Sequence, residues 1–341
     1  MDAETARIGV VGAGSWGTAL AHLLGNKGYG VDLWAYEPAV RQSIEKSREN
    51  QIFLPGIRLP ETITPSNDLA SVVSDKQVIV FVVPSHVMRD VANRAAAHID
   101  PGAVIVTASK GIENQTHLTM SGVLKETLPA ALAPRISVLS GPSFAAEVAQ
   151  KMPTVVTAAS VEHSAAAYIQ NLFSTPYFRV YTNDDLIGVE LGGAGKNVIA
   201  IASGIVDGLG LGLNTRAALI TRGLAEIRRL GIKFGANPHT FAGLAGIGDL
   251  LLTCTGSLSR NHTVGLKIGE GKSLDAILSE MNMVAEGVKT SKSVYNLSRK
   301  LGVDMPISHS VYAVLYEALS PADGVYQLMT RDLKDEMLDV R

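Results

Sequence analysis

The chain has a single cysteine, Cys254, among its 341 residues, so no disulfide can form within it and a zinc site is not expected. Aromatic residues make up only 5% and charged residues 18% of the sequence. The 30 Lys and Arg residues are balanced by 32 Asp and Glu residues, and no basic block could follow a nucleic-acid backbone. These absences exclude a disulfide-stabilised secreted domain and a nucleic-acid partner, and they favour a reducing, cytoplasmic location.

No stretch of about 20 residues is both apolar and free of glycine-rich or charged interruptions, so no membrane span is expected. The first residues, MDAETARIGVVG, are acidic and lead straight into a strand-like run, which is not the pattern of a signal peptide. Hydrophobic residues still make up 46% of the chain. At roughly 150 residues per domain, the length predicts two compact domains, each with its own core.

Up to about residue 183, short β-branched runs alternate with helical stretches, as in parallel strands joined by crossover helices. The strand-like runs are residues 8–12, 31–36, 78–83, 103–109, 136–141, 154–159 and 178–182. Beyond residue 184 only Ala-, Leu- and Gly-rich helical patterns remain. We therefore predict an α/β protein. Residues 1–188 form a Rossmann-type, doubly wound, mostly parallel sheet, and residues 189–341 form an all-helical substrate and catalytic domain.

A glycine-rich turn follows the first predicted strand. Gly12, Gly14 and Gly17 have the G-x-G-x-x-G spacing, and Ser15 and Trp16 lie between the last two. The glycines would permit a tight turn, a close approach to a pyrophosphate and close packing of helix on strand, while the N–H groups near Ser15 and Trp16 face the anion. A plain strand-to-helix turn that needs small residues is the alternative. The order strand, turn, helix, strand favours a nicotinamide dinucleotide site.

The sequence leaves the choice between NAD(H) and NADP(H) open. The position that usually carries a ribose-binding acid is Ala35, at the end of the second strand. Glu37 comes 20 residues after Gly17 and could bind a 2′-hydroxyl, which would favour NAD. No arginine takes its place to hold a 2′-phosphate. Tyr36 could lie against the adenine or be an ordinary exposed tyrosine.

Two single charges interrupt long apolar stretches. Lys196 is the only ionisable residue after Glu190 in the stretch that ends at Val206, and Asp249 is the only carboxylate in residues 241–258. A buried ammonium needs a partner, and burial can lower the pKa of a lysine until it exchanges a proton near neutral pH. We expect Asp249 to pair with Lys196, although Asp249 could instead cap the following helix. The other interpretation of Lys196 is a surface lysine on a helix.

Several residues suit a phosphorylated substrate. Ser259, Arg260 and Asn261 are consecutive, and Arg binds phosphate through two parallel hydrogen bonds. Lys110 follows one predicted strand, and the run from Gly141 to Ser143 follows the next. Open α/β sheets bind their ligands at the carboxyl ends of such strands. These residues predict an anion site, and no metal site is expected.

Taken together, the motifs closely resemble those of the bacterial-type NAD(P)-dependent glycerol-3-phosphate dehydrogenases over essentially the whole chain. The matching segments are GAGSWGTALA (12–21), NxxFLPG (50–56), SKGIE (109–113), LSGPSFAAEV (139–148), VELGGAGKNVIAIASGI (189–205), TRGLAEI (221–227), LAGIGDLLLTCTGSLSRN (244–261) and AEGVKT (285–290). Two departures stand out. Gly195 replaces a larger apolar residue, and Tyr36 replaces a frequent basic residue or histidine, which weakens any inference of NADPH preference.

The resemblance implies reduction of dihydroxyacetone phosphate to sn-glycerol 3-phosphate for phospholipid synthesis, with Lys196 as the catalytic residue. It implies that the substrate is surrounded by Lys110, Gly141, Ser143, Lys196, Asp249, Ser259, Arg260 and Asn261. It further implies that the cofactor is lined by Ser15, Trp16, Tyr36, Lys110, Ala145, Arg260, Val284 and Glu286. We also expect a homodimer.

Two other functions fit parts of this pattern. A β-hydroxyacid or 6-phosphogluconate type dehydrogenase shares the Rossmann domain, a helical C-terminal domain of the same type and a catalytic lysine. A dinucleotide-sensing protein would keep the fold without the chemistry. The presence of Lys110, Lys196, Asp249 and Arg260 together favours the enzyme.

Overall fold

The computed structural model describes residues 6–281 and 285–336. They form two compact units. The N-terminal unit comprises the residues up to Lys110 together with Met120–Leu186, and the helical unit comprises Gly111–Thr119 and the residues from Ile187 onward. The chain thus makes a short excursion into the second unit immediately after Lys110. The domain boundary predicted at residue 188 does not include this excursion.

The N-terminal unit is built on an eight-stranded sheet with the strand order β10-β9-β8-β7-β6-β1-β2-β5. Its strands are β1 (Arg7–Val11), β2 (Gly30–Trp34), β5 (Ile63–Ser66), β6 (Val78–Phe81), β7 (Val104–Thr107), β8 (Ile136–Ser140), β9 (Thr154–Ser160) and β10 (Phe178–Asn183). All seven predicted runs form strands. A separate two-stranded ribbon consists of β3 (Glu49–Asn50) and β4 (Leu54–Arg58). The sequence pattern missed β3, β4 and β5, which are short and only partly buried.

The strand directions confirm a mostly parallel sheet. From β5 to β8 every neighbouring pair is parallel, and β1 at its centre pairs with β2 and β6. β9 pairs antiparallel to β8, and β10 is parallel to β9. Every residue of β6, β7 and β8 is buried, as expected for central strands covered on both faces. The carboxyl ends of β1, β2, β6, β7 and β8 therefore lie along one edge.

The described part of the N-terminal unit contains seven α-helices: α1 (Ser15–Asn26), α2 (Pro38–Ser47), α3 (Leu69–Val73), α4 (Met88–Ala96), α5 (Met120–Thr127), α6 (Ala145–Ala149) and α7 (His163–Phe173). The helical unit contains α8 (Leu186–Gly208), α9 (Gly212–Lys233), α10 (Asp249–Thr255), α11 (Arg260–Gly269), α12 (Leu274–Ser279), α13 (Glu286–Leu301), α14 (Pro306–Tyr316) and α15 (Pro321–Met329). Within the described residues beyond Leu186, every regular element is helical, as predicted.

Helix α8 is the central element of the helical unit. It is long and apolar enough to cross a membrane by length and composition, but its apolar window is entirely buried in the protein. Gly204 and Gly208 let its backbone meet that of α11 at Gly265 and Gly269. A Cβ on Gly265 would lie 1.9 Å from a backbone carbonyl oxygen of α8. The two helices therefore pack backbone to backbone.

The contact between α8 and α9 uses two reciprocal pairs of glycine and isoleucine. A Cβ on Gly195 would lie 2.7 Å from the side chain of Ile227, and one on Gly223 would lie 2.6 Å from that of Ile199. Each isoleucine fills the space left by the glycine opposite. The unusual glycine before the lysine at 196 thus accommodates a larger side chain on the neighbouring helix.

A buried carboxyl group anchors the start of α14. Glu226, on α9, is only 1% exposed and accepts hydrogen bonds from the backbone N–H groups of Ile307 (2.6 Å) and Ser308 (3.0 Å), as well as from the Ser308 hydroxyl (2.9 Å). These contacts satisfy donors that have no partner within their own helix. Burial outweighs these hydrogen bonds and the nearby Arg229 and raises the pKa of Glu226 to about 7.

Glu226 makes stability depend on pH. Its pKa is about 7 in the folded state, against an ordinary value of 4.5, so the folded protein holds a proton that the unfolded chain releases. The contribution of Glu226 to the free energy of unfolding is constant below pH 4.5. It falls by about 3 kcal/mol in total as the pH rises towards 7, and then it levels off. Urea unfolding of wild-type protein and Glu226→Gln from pH 4.5 to 8 measures this. The free energy of unfolding of the wild-type protein should fall relative to that of Glu226→Gln as the pH rises. A difference that does not depend on pH would contradict the assignment.

Candidate active site

The glycine turn after β1 has the geometry predicted for a dinucleotide site. Gly12 has a φ of +121°, which disfavours other residues. A Cβ on Gly17 would lie 1.9 Å from the carbonyl oxygen of Gly12, whereas nothing lies within 4 Å of one on Gly14. Gly17 therefore allows the close packing of α1, and Gly14 leaves open space above the turn. Helix α1 begins at Ser15, and the N–H groups of a first helical turn suit an anion because they have no partner within the helix.

Two residues from the β3–β4 ribbon hold this turn in place. The Asn50 side chain donates to the carbonyl oxygen of Ala13 (2.8 Å) and to the Thr18 hydroxyl (2.9 Å). The Ser15 hydroxyl donates to the carbonyl oxygen of Phe53 at 2.6 Å. Sequence reasoning missed Asn50 as a supporting residue. Only the NxxFLPG segment that begins with Asn50 pointed to this region.

Trp16 supplies an observation that fits a bound cofactor. Its indole Nε1 is buried and has no hydrogen-bond partner among the described residues, which is rare for a donor in a folded protein. Trp16 and Ala145 pack against the same small apolar cluster of Ala19, Leu54 and Ala149. Ala145, which the resemblance also assigned to the cofactor, thus lies beside the glycine turn. The residues of this edge fit a dinucleotide.

At the end of β2, Ala35 is fully buried and Tyr36 is 69% exposed. The usual acid position therefore carries no polar side chain. The Tyr36 ring meets the edge of Trp34 with a centroid distance of 5.9 Å. Glu37 is the N-cap residue of α2, but its side chain makes no capping hydrogen bond.

Three predicted substrate residues meet after β7 and β8. The Lys110 ammonium lies 3.3 Å from the carbonyl oxygen of Gly141, and the Ser143 hydroxyl donates to the same oxygen at 2.9 Å. Gly141 has a φ of +140°, and a Cβ there would lie 2.9 Å from the Val156 backbone. A cation and a hydroxyl are thus held together at the carboxyl edge of the sheet.

The predicted ion pair of the helical unit is present. Lys196, on α8, donates to a carboxylate oxygen of Asp249, the first residue of α10. Their side chains are 8% and 1% exposed. The Lys196 ammonium also donates to the Thr253 hydroxyl at 2.9 Å, and that hydroxyl donates to the Asp249 carbonyl oxygen at 2.6 Å. The N-cap of α10 is Gly248 rather than Asp249, so the pairing with Lys196 accounts for the Asp249 carboxylate better than a capping role.

Thr253 was missed by sequence reasoning, although its spacing of four residues from Asp249 on a helix places both side chains on one face. Its neighbour Cys254 is fully buried, as expected. Burial raises the pKa of the Cys254 thiol to about 12, with smaller effects from nearby charges that include Lys196 and Asp249. The thiol stays protonated near neutral pH and is not a nucleophile.

Ser259, Arg260 and Asn261 begin α11. Ser259 is its N-cap, with a hydroxyl that accepts from the N–H of His262 at 3.2 Å. The Arg260 side chain is exposed as a whole, but partial burial of its guanidinium lowers the pKa, and the Glu286 carboxylate opposes that shift. Arg260 and Glu286, both predicted to line the cofactor, are therefore near neighbours. Val284, assigned to the same group, lies outside the described residues.

Asn261 links three helices. Its side-chain amide donates to Asn197 of α8 at 3.0 Å and accepts from the N–H of Gly287 in α13 at 2.9 Å. Asn197 follows the lysine at 196 directly, so these hydrogen bonds connect the start of α11 to the residue next to Lys196. Sequence reasoning named Asn261 but missed Asn197, because their 64-residue separation gives no local signal.

Each unit thus carries its own set of predicted residues. The glycine turn, the open space above it and the indole donor without a partner among the described residues fit a Rossmann-type dinucleotide site. In the helical unit, a buried lysine is hydrogen-bonded to a carboxylate and a hydroxyl. Among the described residues, no three His, Cys, Asp or Glu side chains gather as a metal site. This combination defines the class of Rossmann-type, nicotinamide-dependent dehydrogenases.

Comparison with known proteins narrows this class. Residues 7–166 match the N-terminal model of NAD-dependent glycerol-3-phosphate dehydrogenase, and residues 185–326 match its C-terminal model. The chain belongs to this family. Curated relatives named glycerol-3-phosphate dehydrogenase [NAD(P)+] include one from Geobacter metallireducens, 59% identical over 97% of this chain and 98% of that protein. Another, from Syntrophobacter fumaroxidans, is 57% identical over 97% of both.

A solved structure agrees. The crystal structure of glycerol-3-phosphate dehydrogenase from Coxiella burnetii has a TM-score of 0.92 and 40% identity to this chain, with 96% of this chain and 99% of that chain covered. The protein is therefore an NAD(P)-dependent oxidoreductase of this family.

Proposed function

We propose that this protein reduces dihydroxyacetone phosphate to sn-glycerol 3-phosphate with NADH or NADPH, for phospholipid synthesis. The observation that carries the mechanism is the buried Lys196, held by Asp249 and Thr253. A cation is costly to bury unless it is paired. Its retention beside a carboxylate and a hydroxyl supports a chemical role at a developing anion.

The reaction adds a hydride and a proton across the C2 carbonyl group. The bound dinucleotide supplies the hydride. Lys196 donates a hydrogen bond to the C2 oxygen and then transfers its proton as the alkoxide forms. A cation about 3 Å from that oxygen stabilises the transition state more than the neutral ketone. Asp249 keeps the lysine oriented and favours its charged form before reduction, and in the reverse direction Lys196 accepts the alcohol proton.

The remaining residues bind and orient. We propose that Arg260 holds the phosphate group, with Ser259 and Asn261 beside it at the start of α11. Lys110, Gly141 and Ser143 complete the substrate-binding set. The cofactor-binding set is the glycine turn with Gly12, Gly14, Ser15, Trp16 and Gly17, together with Tyr36, Lys110, Ala145, Arg260, Val284 and Glu286.

Initial rates with dihydroxyacetone phosphate and either nicotinamide cofactor test the proposed reaction. We expect turnover with this ketone and negligible turnover with 3-hydroxy acids or 6-phosphogluconate. Oxidation of 6-phosphogluconate without reduction of dihydroxyacetone phosphate would replace the proposal with the related dehydrogenase class. Cofactor binding without turnover of any of these compounds would favour a sensing role.

Lys196→Met should abolish most of the activity, because it keeps length and packing but removes the charge and the proton. Positioned acid catalysis contributes about 10² to 10⁴ in rate, and the lost electrostatic stabilisation adds to this. Turnover should fall by about three decades or more, while cofactor affinity changes little. The measurement is turnover together with fluorescence titration of cofactor on the folded variant. A loss below tenfold would assign the proton transfer to Lys110 instead.

Arg260→Ala should selectively weaken the binding of the phosphorylated substrate. Loss of a charge-assisted contact costs about 1.5 to 3 kcal/mol, or one to two decades in KM. The KM for the cofactor should also rise, because Glu286, from the same predicted cofactor set, is a near neighbour of Arg260. Unphosphorylated dihydroxyacetone is the matched control, and its kcat/KM should change little. An equal penalty on both ketones would make Arg260 a structural residue.

We further propose that the protein acts as a cytoplasmic homodimer. The lone, fully buried cysteine suits a reducing compartment. Exposed leucines in the helical unit, such as Leu213 at 71% and Leu258 at 53%, offer apolar surface to a second copy. Sedimentation equilibrium of the purified protein decides the oligomeric state, and a monomer at micromolar concentration would refute the dimer.

A further inference from the structure

The end of β2 is where a Rossmann protein distinguishes NAD from NADP, since an acid there binds the ribose 2′-hydroxyl and a nearby arginine accommodates the 2′-phosphate. Here the strand end presents the buried Ala35 and the exposed ring of Tyr36. Neither can bind a ribose hydroxyl as a carboxylate does. The next polar side chain near the strand end that is held by hydrogen bonds is Arg41, which lies one turn into α2.

Arg41 is held at the strand end by two contacts. Its Nε donates to the Glu45 carboxylate at 2.8 Å, and its Nη1 lies 3.5 Å from the side-chain oxygen of Asn67. Asn67 in turn donates from its side-chain amide to the carbonyl oxygen of Ala35 at 2.5 Å, and its own carbonyl oxygen accepts from the Trp34 indole at 3.0 Å. Asn67 therefore ties the guanidinium directly to the last residues of β2.

The same contacts leave part of the guanidinium available. Nε and Nη1 are engaged, whereas Nη2 has no protein partner among the described residues, and the Arg41 side chain is 45% exposed. A guanidinium that is held at Nε and Nη1 and open at Nη2 can donate charge-assisted hydrogen bonds to a phosphate. Arg94 also lies nearby, but its guanidinium lies over the Trp34 ring and pairs with Asp90.

We propose that Arg41 recognises the 2′-phosphate of NADPH and gives this protein a preference for NADPH over NADH. Asn67 is the positioning residue that holds the guanidinium at the strand end, and Tyr36 offers an exposed ring beside it. The proposal rests on the dehydrogenase function proposed above and adds the residue that selects the cofactor. The sequence interpretation considered only the strand end itself, where there is no arginine, and did not weigh Arg41.

Arg41→Met tests the proposal, with Arg179→Met as the matched control. Arg179 is an exposed arginine on β10, at the opposite edge of the same sheet, and it lies over the Tyr181 ring. Dissociation constants are measured for NADPH, NADH, 2′-phospho-ADP-ribose and ADP-ribose by calorimetry, so the readout does not depend on turnover. Unfolding midpoints confirm that both variants fold.

We expect the wild-type protein to bind NADPH and 2′-phospho-ADP-ribose about ten- to a hundredfold more tightly than their unphosphorylated counterparts. Arg41→Met should abolish that difference and change NADH affinity by less than about twofold. Arg41→Lys should retain an intermediate preference, because the charge remains and the paired geometry is lost. Arg179→Met should behave as wild type.

Two outcomes would overturn the proposal. If Arg41→Met weakens all four ligands equally, the residue supports the fold of the site and does not read the phosphate. If it leaves the affinities for all four ligands unchanged, Arg41 does not contact the cofactor. Failure of the wild-type protein to bind any of the four ligands would instead refute the proposed dehydrogenase function.

Discussion

Helix α8 is so apolar that every side of it has to be covered, and this requirement sets the layout of the helical unit. Side chains alone would keep the neighbouring helices about 8 to 10 Å away. The glycines of α8 and α11 remove that spacing and bring the two backbones into contact. The start of α11, with the predicted anion triplet, is thereby fixed against the part of α8 that follows Lys196. The packing of α8 against α11 and the position of the predicted site residues therefore depend on the same glycines.

The buried ion pair has to be understood within this apolar surrounding. Removing Asp249 would leave an uncompensated ammonium, which costs more than the pair itself contributes. Thr253 adds a hydroxyl that bonds both the lysine and the backbone of its own helix. The lysine is therefore held from two directions in a region that excludes water. In the proposed reaction, this arrangement would strengthen the field of the ammonium at the developing alkoxide.

Local patterns were sufficient for much of the molecule. The seven main strands, the helical second unit, the glycine turn and the pairing of Lys196 with Asp249 followed from periodicity, from turn chemistry and from single charges in apolar stretches. Residues that support the site from a distance did not follow in this way. Asn50 reaches the turn from 37 residues away, and Asn197 meets Asn261 across 64 residues. No local rule encodes such contacts, because only the folded topology brings the partners together.

The excursion of residues 111–119 has a consequence for how this chain could be divided. Ile112 is 2% exposed within the core of the helical unit, and its carbonyl oxygen accepts from the Ser293 hydroxyl at 2.8 Å. A gene fragment that begins at Ile187 would lack this piece of its core. A fragment that ends at Leu186 would leave Ile112 without the core that buries it. The two units are therefore not interchangeable modules. Recombination between relatives near residue 187 would combine the helices of one protein with residues 111–119 of another, and the core they share would then be mismatched.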